Sequence, residues 1–210
     1  MPSLRTQAHL LPVPHDLIAA KNDLRRQMRE SIRTISAGDL GARTESLLDH
    51  LKEGPLSSAT TGVCVALFGG IQGEPDLLPL ISWLTGRGAR PVFFGFDEHG
   101  LVPRWVTNAS SLSRGPFGVW MPDESCQRLD FSDLDLVLVP GLAFDRHGGR
   151  LGRGRGYFDR LFGRPEVRAQ RIGVCFQPQV VAAVPVEGHD ARVQLIVTDQ
   201  GVIRVDSAAL

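Results

Sequence analysis

The chain has 210 residues, of which 42% are hydrophobic and 22% charged, and its 23 basic side chains balance 23 acidic ones. This composition is typical of a globular protein and excludes a disordered or collagen-like chain. No apolar run approaches the ~18 residues that a membrane-spanning helix requires, and the basic excess of nonspecific nucleic-acid binders is absent. We therefore expect no membrane association and no nucleic-acid partner.

Hydrophobic periodicity and turn residues predict alternating helices and strands along most of the chain. Residues 1–15 contain three prolines and no long apolar stretch, so we expect a flexible N-terminal extension there. Residues 16–210 are predicted to form a single α/β layered domain, with a mostly parallel sheet flanked by helices and an N-terminal helical hairpin. Helices are predicted over 16–35, 37–52, 74–85 and 157–162, and strands over 63–68, 90–96, 101–106, 134–139, 171–176, 193–198 and briefly after 201, with 108–128 irregular.

The cysteine pattern favours a reducing compartment. Cys64 and Cys175 lie within apolar runs, and Cys126 is far from both. No Cys-x-x-Cys pair or Cys/His cluster has the spacing of a zinc site. We therefore expect reduced cysteines and a cytoplasmic location.

The most informative stretch is the glycine-rich loop, RLGRGRGYFDR, from Arg150 to Arg160. Alternating glycines allow successive backbone N–H groups to converge on an anion, and guanidinium groups can clamp phosphate oxygens. The loop is neither a Walker A motif nor a Rossmann fingerprint. Phosphate binding, with a nucleotide as the natural ligand, is the favoured interpretation. An RGG-like RNA contact or a solvated turn is the alternative.

Charged residues elsewhere provide weaker signals. Lys21, Arg25 and Arg29 recur every four residues on the first predicted helix, where they could face one ligand or form a solvated basic face. Glu74 and Asp76 follow a predicted strand, either as ligand contacts or as helix-capping acids. Asp159 and Asp190 are candidate magnesium ligands, although each could equally serve in a helix turn or a loop.

Several segments together resemble the 5-formyltetrahydrofolate cyclo-ligase, or methenyltetrahydrofolate synthetase, family. The main match is LVLVPGLAFDRHGGRLGRGRGYFDR, from Leu136 to Arg160. Supporting matches are Lys21-x-x-x-Arg25, Gly73-Glu-Pro-Asp76, Gly115-Pro-Phe-Gly118 and the tail VPVEGHDARVQLIVTD, from Val184 to Asp199. Phe158 is a departure, because the family more often has tyrosine there.

The resemblance implies an ATP- and Mg²⁺-dependent cyclisation of 5-formyltetrahydrofolate to 5,10-methenyltetrahydrofolate, with release of ADP and phosphate. It also implies the site residues. The catalytic residues would be Arg153, Arg155 and Tyr157, and the metal ligands Asp159 and Asp190. ATP would be bound by Lys21, Arg25, Arg150, Leu151, Gly152, Arg153, Gly154, Arg155, Gly156, Tyr157 and Phe158. The folate substrate would be bound by Ile71, Glu74, Asp76, Arg153, Gly154, Arg155, Gly156 and Tyr157.

The partners expected from this resemblance are two small molecules, ATP and 5-formyltetrahydrofolate, and we expect a monomer. The main alternative is a non-catalytic paralogue that binds nucleotide or folate and regulates another protein. An RNA-binding protein and a sugar-phosphate isomerase are further alternatives. RNA binding is disfavoured by the neutral net charge and by the single tyrosine, because stacking on bases requires aromatic side chains. Sugar-phosphate isomerisation has only fold analogy in its favour.

Overall fold

The computed structural model describes residues 14–98, 100–188 and 190–206. Most of the predicted extension therefore lies outside the described residues, and residues 14 and 15 begin the first helix. The helices are α1 (Pro14–Arg33), α2 (Ala37–Glu53), α3 (Pro79–Gly86) and α4 (Tyr157–Phe162). The strands are β1 (Cys64–Ala66), β2 (Arg90–Asp97), β3 (Gly100–Trp105), β4 (Leu112–Arg114), β5 (Trp120–Pro122), β6 (Leu136–Pro140), β7 (Ala143–Phe144), β8 (Arg150–Leu151), β9 (Gln170–Val174), β10 (Leu195–Thr198) and β11 (Gly201–Arg204).

Seven of these strands form one sheet in the order β11-β10-β9-β6-β1-β2-β3. The five central strands pair in parallel, while β11 and β3 pair antiparallel at the two edges. The predicted α/β class with a mostly parallel sheet is therefore confirmed. The strand order reverses at β1, because the chain passes from β1 to β2 on one side and returns to β6 on the other. Ligands of open α/β sheets bind at such a reversal, beyond the carboxyl ends of the strands.

Apolar side chains cover both faces of the sheet. On one face the strands pack against α2 and α3, through buried leucines such as Leu47, Leu51 and Leu80. On the other face they pack against Leu161 of α4 and the loops around Leu129 and Leu134. Helix α1 packs elsewhere, with Leu24, Met28 and Ile32 against a small core that includes β7, β8 and Val184. This packing places α1 beside the glycine-rich loop.

Two local predictions were wrong and one hairpin was missed, where proline or strand length decided the structure. The helix predicted over 74–85 begins only at Pro79, because proline is favoured at a first helical position and the Asp76 side chain forms a turn with the Leu78 N–H at 3.0 Å. Residues 108–128 contain the paired strands β4 and β5, which at three residues each are too short to show alternation. The hairpin of β7 and β8 was also not predicted. In the part of the chain that the structure describes, no helix is long and apolar enough to cross a membrane.

A buried aspartate joins the segments that carry the glycine-rich loop. Asp145 is 4% exposed. Its Oδ1 accepts the backbone N–H groups of His147 and Gly149, each at 2.9 Å, and its Oδ2 accepts that of Val184 at 2.7 Å. Hydrogen bonds to a charged acceptor are among the stronger ones in proteins. Asp145 therefore ties the base of the loop to the segment that leads to residue 190.

Replacing this carboxylate should destabilise the fold. We expect Asp145→Ala to lower the free energy of unfolding by about 3 kcal/mol, because three backbone N–H donors, two of them buried, lose their acceptor. Urea unfolding measures the change. Asp49→Ala is the control, since Asp49 pairs with Lys52 on the surface at 3.0 Å and should contribute less than about 1 kcal/mol. Equal losses in the two variants would contradict the role of Asp145.

Candidate active site

A cleft of about 440 Å³ opens at the carboxyl ends of β1, β2 and β6. Its floor is formed by residues that directly follow these strands, including Leu67–Gly69 after β1 and Gly141 after β6. The glycine-rich loop forms one wall, and α1 contributes Lys21 and Arg25 to another. The cleft thus lies at the reversal of strand order.

The glycine-rich loop connects β8 to α4 in a conformation that depends on two glycines. Gly154 has φ +98° and Gly156 has φ +65°, backbone angles that residues other than glycine rarely adopt. Arg25 of α1 holds the loop from outside, because its Nε donates to the Gly152 carbonyl at 3.1 Å. The loop conformation is therefore set by the backbone angles of Gly154 and Gly156 and by the hydrogen bond from Arg25 of α1.

Lys21 is buried against two carboxylates of the segment after Val184. Its Nζ lies 2.7 Å from Oε2 of Glu187 and 2.6 Å from Oδ2 of Asp190. Burial by itself lowers the pKa of Lys21, but the hydrogen bonds and charges of Asp190 and Glu187 outweigh it and raise the pKa above its ordinary value. For Arg25, burial and the nearby Arg29 charge lower the pKa. The cleft therefore holds a lysine that stays charged at neutral pH.

Arg150 contributes a buried guanidinium to the cleft. The residue is 8% exposed, its Nη2 donates to Oδ1 of Asp159 at 2.6 Å, and its guanidinium lies 5.8 Å from the centre of the Phe158 ring. Its Nε has no hydrogen-bond partner. An unpaired buried N–H is rare and costly, so Arg150 keeps its place through the ion pair with Asp159 and its packing on Phe158.

A second ion pair joins the glycine-rich loop to residues 71–74. Oε1 of Glu74 lies 3.0 Å from Nε and 2.9 Å from Nη2 of Arg153, and Oε2 accepts the Ile71 N–H at 3.2 Å. Glu74 and Ile71 both line the cleft. Asp76 lies outside its lining, exposed, with its carboxylate in the turn before α3.

The remaining lining is largely apolar. Ile18 and Phe96, which line the cleft, are 57% and 41% exposed. Contact of apolar side chains with water is unfavourable, and a bound ligand would cover these two. The Tyr157 ring lies 5.0 Å from that of Phe96, and Phe158 packs edge-to-face on Phe94 at 6.2 Å. Phe158 therefore acts as an apolar wall.

The structure brings together nearly all the site residues expected from the sequence. Lining the cleft are Lys21, Arg25, Ile71, Glu74, Arg150, Leu151, Gly152, Arg153, Gly154, Arg155, Gly156, Tyr157, Phe158, Asp159 and Asp190. Sequence reasoning missed Ile18, Phe94, Phe96, Pro140, Gly141 and Glu187, although several lie on or directly after strands whose ends were predicted. Position at the end of a parallel strand is the signal that would have found Phe94, Phe96, Pro140 and Gly141, whereas Ile18 and Glu187 carry no such signal.

The charges in the cleft nearly cancel. Five cationic side chains, Lys21, Arg25, Arg150, Arg153 and Arg155, face four carboxylates, Glu74, Asp159, Glu187 and Asp190. Within residues 14–98, 100–188 and 190–206, no group of three or more His, Cys, Asp or Glu side chains is arranged to hold a metal ion by itself. A ligand with several negative charges would therefore meet a site with little net positive charge.

Comparison with known proteins identifies the family of the chain. The model of the 5-formyltetrahydrofolate cyclo-ligase family matches residues 17–199. The mouse 5-formyltetrahydrofolate cyclo-ligase is 27% identical over 187 residues, covering 83% of this chain and 91% of the relative. The Escherichia coli K12 enzyme of the same name is 33% identical over 139 residues, covering 64% and 76%.

Solved structures give the same result. The 5,10-methenyltetrahydrofolate synthetase of Aquifex aeolicus superposes with a TM-score of 0.77 at 29% identity, covering 89% of this chain and 93% of that one. A synthetase from Mycoplasma pneumoniae shares the fold, with a TM-score of 0.69 at 19% identity over 85% and 98% of the two chains. The family match spans most of the chain and includes every charged residue of the cleft, so the chain belongs to the 5-formyltetrahydrofolate cyclo-ligase family, a family of enzymes.

Proposed function

We propose that this protein is an ATP- and Mg²⁺-dependent ligase that cyclises 5-formyltetrahydrofolate to 5,10-methenyltetrahydrofolate, releasing ADP and phosphate, and so acts in one-carbon metabolism. The observation that carries the proposal is the convergence of the glycine-rich loop, the α1 cations and Glu74 on one cleft in a chain of this family. Its substrates are the two small molecules, and we propose a cytoplasmic monomer.

The triphosphate is assigned to the side of the cleft formed by α1 and the glycine-rich loop. Lys21 and Arg25 face this loop from α1, and the guanidinium of Arg150 lines the same cleft. Guanidinium and ammonium groups beside a glycine-rich turn suit phosphate oxygens, which accept several charge-assisted hydrogen bonds at once. Leu151 to Phe158 would complete the nucleotide contacts.

The near-neutral charge of the cleft supports the need for a divalent cation. Mg²⁺ bound with a nucleotide takes only one or two protein carboxylates and fills its other positions with phosphate and water oxygens. Asp159 and Asp190 fit that role, because both carboxylates line the same cleft as the phosphate-binding cations. When bound there, Mg²⁺ would neutralise charge on the transferring phosphoryl group.

The folate is assigned to the side of the cleft that Glu74 borders. A carboxylate at this position can accept the amino and ring N–H groups of the pterin, and Ile71 supplies apolar contact beside it. The exposed ring of Phe96 and the half-buried ring of Tyr157 beside it offer a surface for the flat parts of the substrate. Asp76 is assigned no direct folate contact, because its carboxylate caps the turn before α3.

The reaction joins two steps that require positioning more than a protein nucleophile. The formyl oxygen on N5 attacks the γ-phosphorus and ADP leaves, which converts the oxygen into a good leaving group. The N10 amine then attacks the formyl carbon, the carbon–oxygen bond breaks with loss of phosphate, and the amine proton passes to solvent. Phosphoryl transfer of this kind depends on in-line alignment and charge stabilisation.

Arg153 and Arg155 are the residues proposed to stabilise charge during transfer, with Tyr157 ordering the substrates beside them. Arg153 is held by Glu74, which supports a place for its guanidinium next to the proposed folate position. Arg155 follows it in the same loop and also lines the cleft. Both guanidinium groups thus line the cleft in which the formyl oxygen and the γ-phosphate are proposed to meet.

The activity itself is tested by absorbance at the methenyltetrahydrofolate band. The purified protein is mixed with 5-formyltetrahydrofolate, ATP and Mg²⁺, and each component is omitted in turn. We expect a rise only when all are present. A flat trace from folded protein that still binds ATP and folate would instead indicate a non-catalytic paralogue.

Arg155→Ala should lower kcat by roughly 10²–10³-fold, because a preorganised charge at the transition state is lost. Steady-state kinetics measures the change, and circular dichroism checks the fold. Arg168→Ala, at an exposed position outside the cleft lining, is the matched control and should leave kcat unchanged. Near-normal turnover of folded Arg155→Ala protein would remove Arg155 from the catalytic role.

Gly154→Ala tests the loop conformation. A Cβ at position 154 lies no closer than 3.7 Å to its neighbours, so the substitution adds backbone strain at φ +98° without a clash. That strain, of roughly 1–2 kcal/mol, should weaken ATP binding by about 5–30-fold in titration calorimetry. Gly86→Ala, in open space at the end of α3, is the control. Wild-type affinity in Gly154→Ala would show that the loop does not bind ATP in this conformation.

A further inference from the structure

Lys21 is held by two carboxylates that have different surroundings. Oδ2 of Asp190 accepts both Lys21 Nζ at 2.6 Å and the backbone N–H of Glu187 at 2.7 Å, so Asp190 also closes its own turn. Glu187 reaches Lys21 through Oε2 at 2.7 Å, and its side chain is 33% exposed compared with 14% for Asp190. The two acids therefore contribute to the lysine in unequal ways.

The Lys21 ammonium can donate more hydrogen bonds than its two carboxylate partners accept. An ammonium group has three N–H donors, and in the structure two of them are directed at Glu187 and Asp190. Among the residues that the structure describes the third has no acceptor, and it can serve a ligand in the cleft that Lys21 lines. A lysine with four flexible bonds would otherwise lose considerable rotamer entropy when it binds a phosphate.

We propose that Glu187 is a positioning residue that holds the Lys21 ammonium toward the nucleotide, while Asp190 serves the divalent cation. If Asp190 directs an oxygen to the cation, its hold on Lys21 weakens, and Glu187 is the remaining carboxylate within hydrogen-bonding distance. The buried ammonium then keeps a charged partner throughout nucleotide binding. This assignment rests on the proposed function, since it assumes that Lys21 binds a phosphate of ATP.

Loss of the Glu187 carboxylate should change the binding of the nucleotide and not that of the folate. Loss of Glu187 leaves Asp190 to serve both Lys21 and the cation, so nucleotide affinity should fall while the folate side of the cleft is unaffected. We expect KM for ATP to rise roughly 10-fold in Glu187→Ala, with kcat and KM for 5-formyltetrahydrofolate within about twofold of wild type. Glu187→Gln, which keeps an acceptor oxygen without the charge, should show a smaller rise.

The experiment measures kcat and both KM values for wild type, Glu187→Ala, Glu187→Gln, Lys21→Ala and the double variant Lys21→Ala/Glu187→Ala. Glu45→Ala, an exposed acid on α2, controls for the change in net charge. Calorimetry with a non-hydrolysable ATP analogue, with and without Mg²⁺, gives a binding readout that does not depend on turnover. Thermal unfolding checks that each variant is folded.

The proposal predicts that Glu187→Ala adds little to the ATP defect of Lys21→Ala, because both act through one contact. Three results would overturn it: an unchanged KM for ATP in Glu187→Ala, a full additional defect on the Lys21→Ala background, or an equal change in both KM values. The second would mean direct contact with nucleotide or cation, and the third a purely structural role. Wild-type protein that neither binds the analogue nor turns over would overturn the proposed function itself.

Discussion

Ion pairs between segments far apart in the sequence set the geometry of the cleft. Lys21 of α1 meets Glu187 and Asp190 at 2.7 and 2.6 Å, and Arg153 of the glycine-rich loop meets Glu74 at 2.9 Å. Each pair is partly shielded from water. Charges in such surroundings interact more strongly than charges at an open surface. The walls of the cleft are thus positioned by the same charged groups that are proposed to bind the substrates.

This arrangement has a chemical consequence. The carboxylates hold the cations where phosphate oxygens are proposed to bind, so a nucleotide would meet cations that are already in place and would require little rearrangement of them. Such preorganisation is the main source of electrostatic catalysis, because the protein does not have to reorient charges during the reaction. It also supports the proposed use of a divalent ion, because four carboxylates already offset most of the charge of the five cations in the cleft.

The fold class followed from the sequence because buried parallel strands and amphipathic helices have strong, local patterns. Leu134–Val139, for example, predicts the central strand β6, which spans Leu136–Pro140. The short strands β4, β5, β7 and β8 could not be found in this way, because strands of two or three residues are stabilised by packing across the fold. The glycine-rich loop was recognisable because its spacing is local. The contact between Glu187 and Lys21 could not be predicted from the sequence. The two residues are 166 positions apart and are brought together by the packing of α1 on the small core that includes Val184.

The central claim of this account is that the formyl oxygen becomes phosphorylated before the ring closes. It can be tested with 5-formyltetrahydrofolate labelled with ¹⁸O in the formyl group, incubated with the protein, ATP and Mg²⁺ until methenyltetrahydrofolate has formed. Mass spectrometry of the inorganic phosphate follows the label. The account predicts one ¹⁸O atom in each phosphate released, and label found in water with unlabelled phosphate would contradict it.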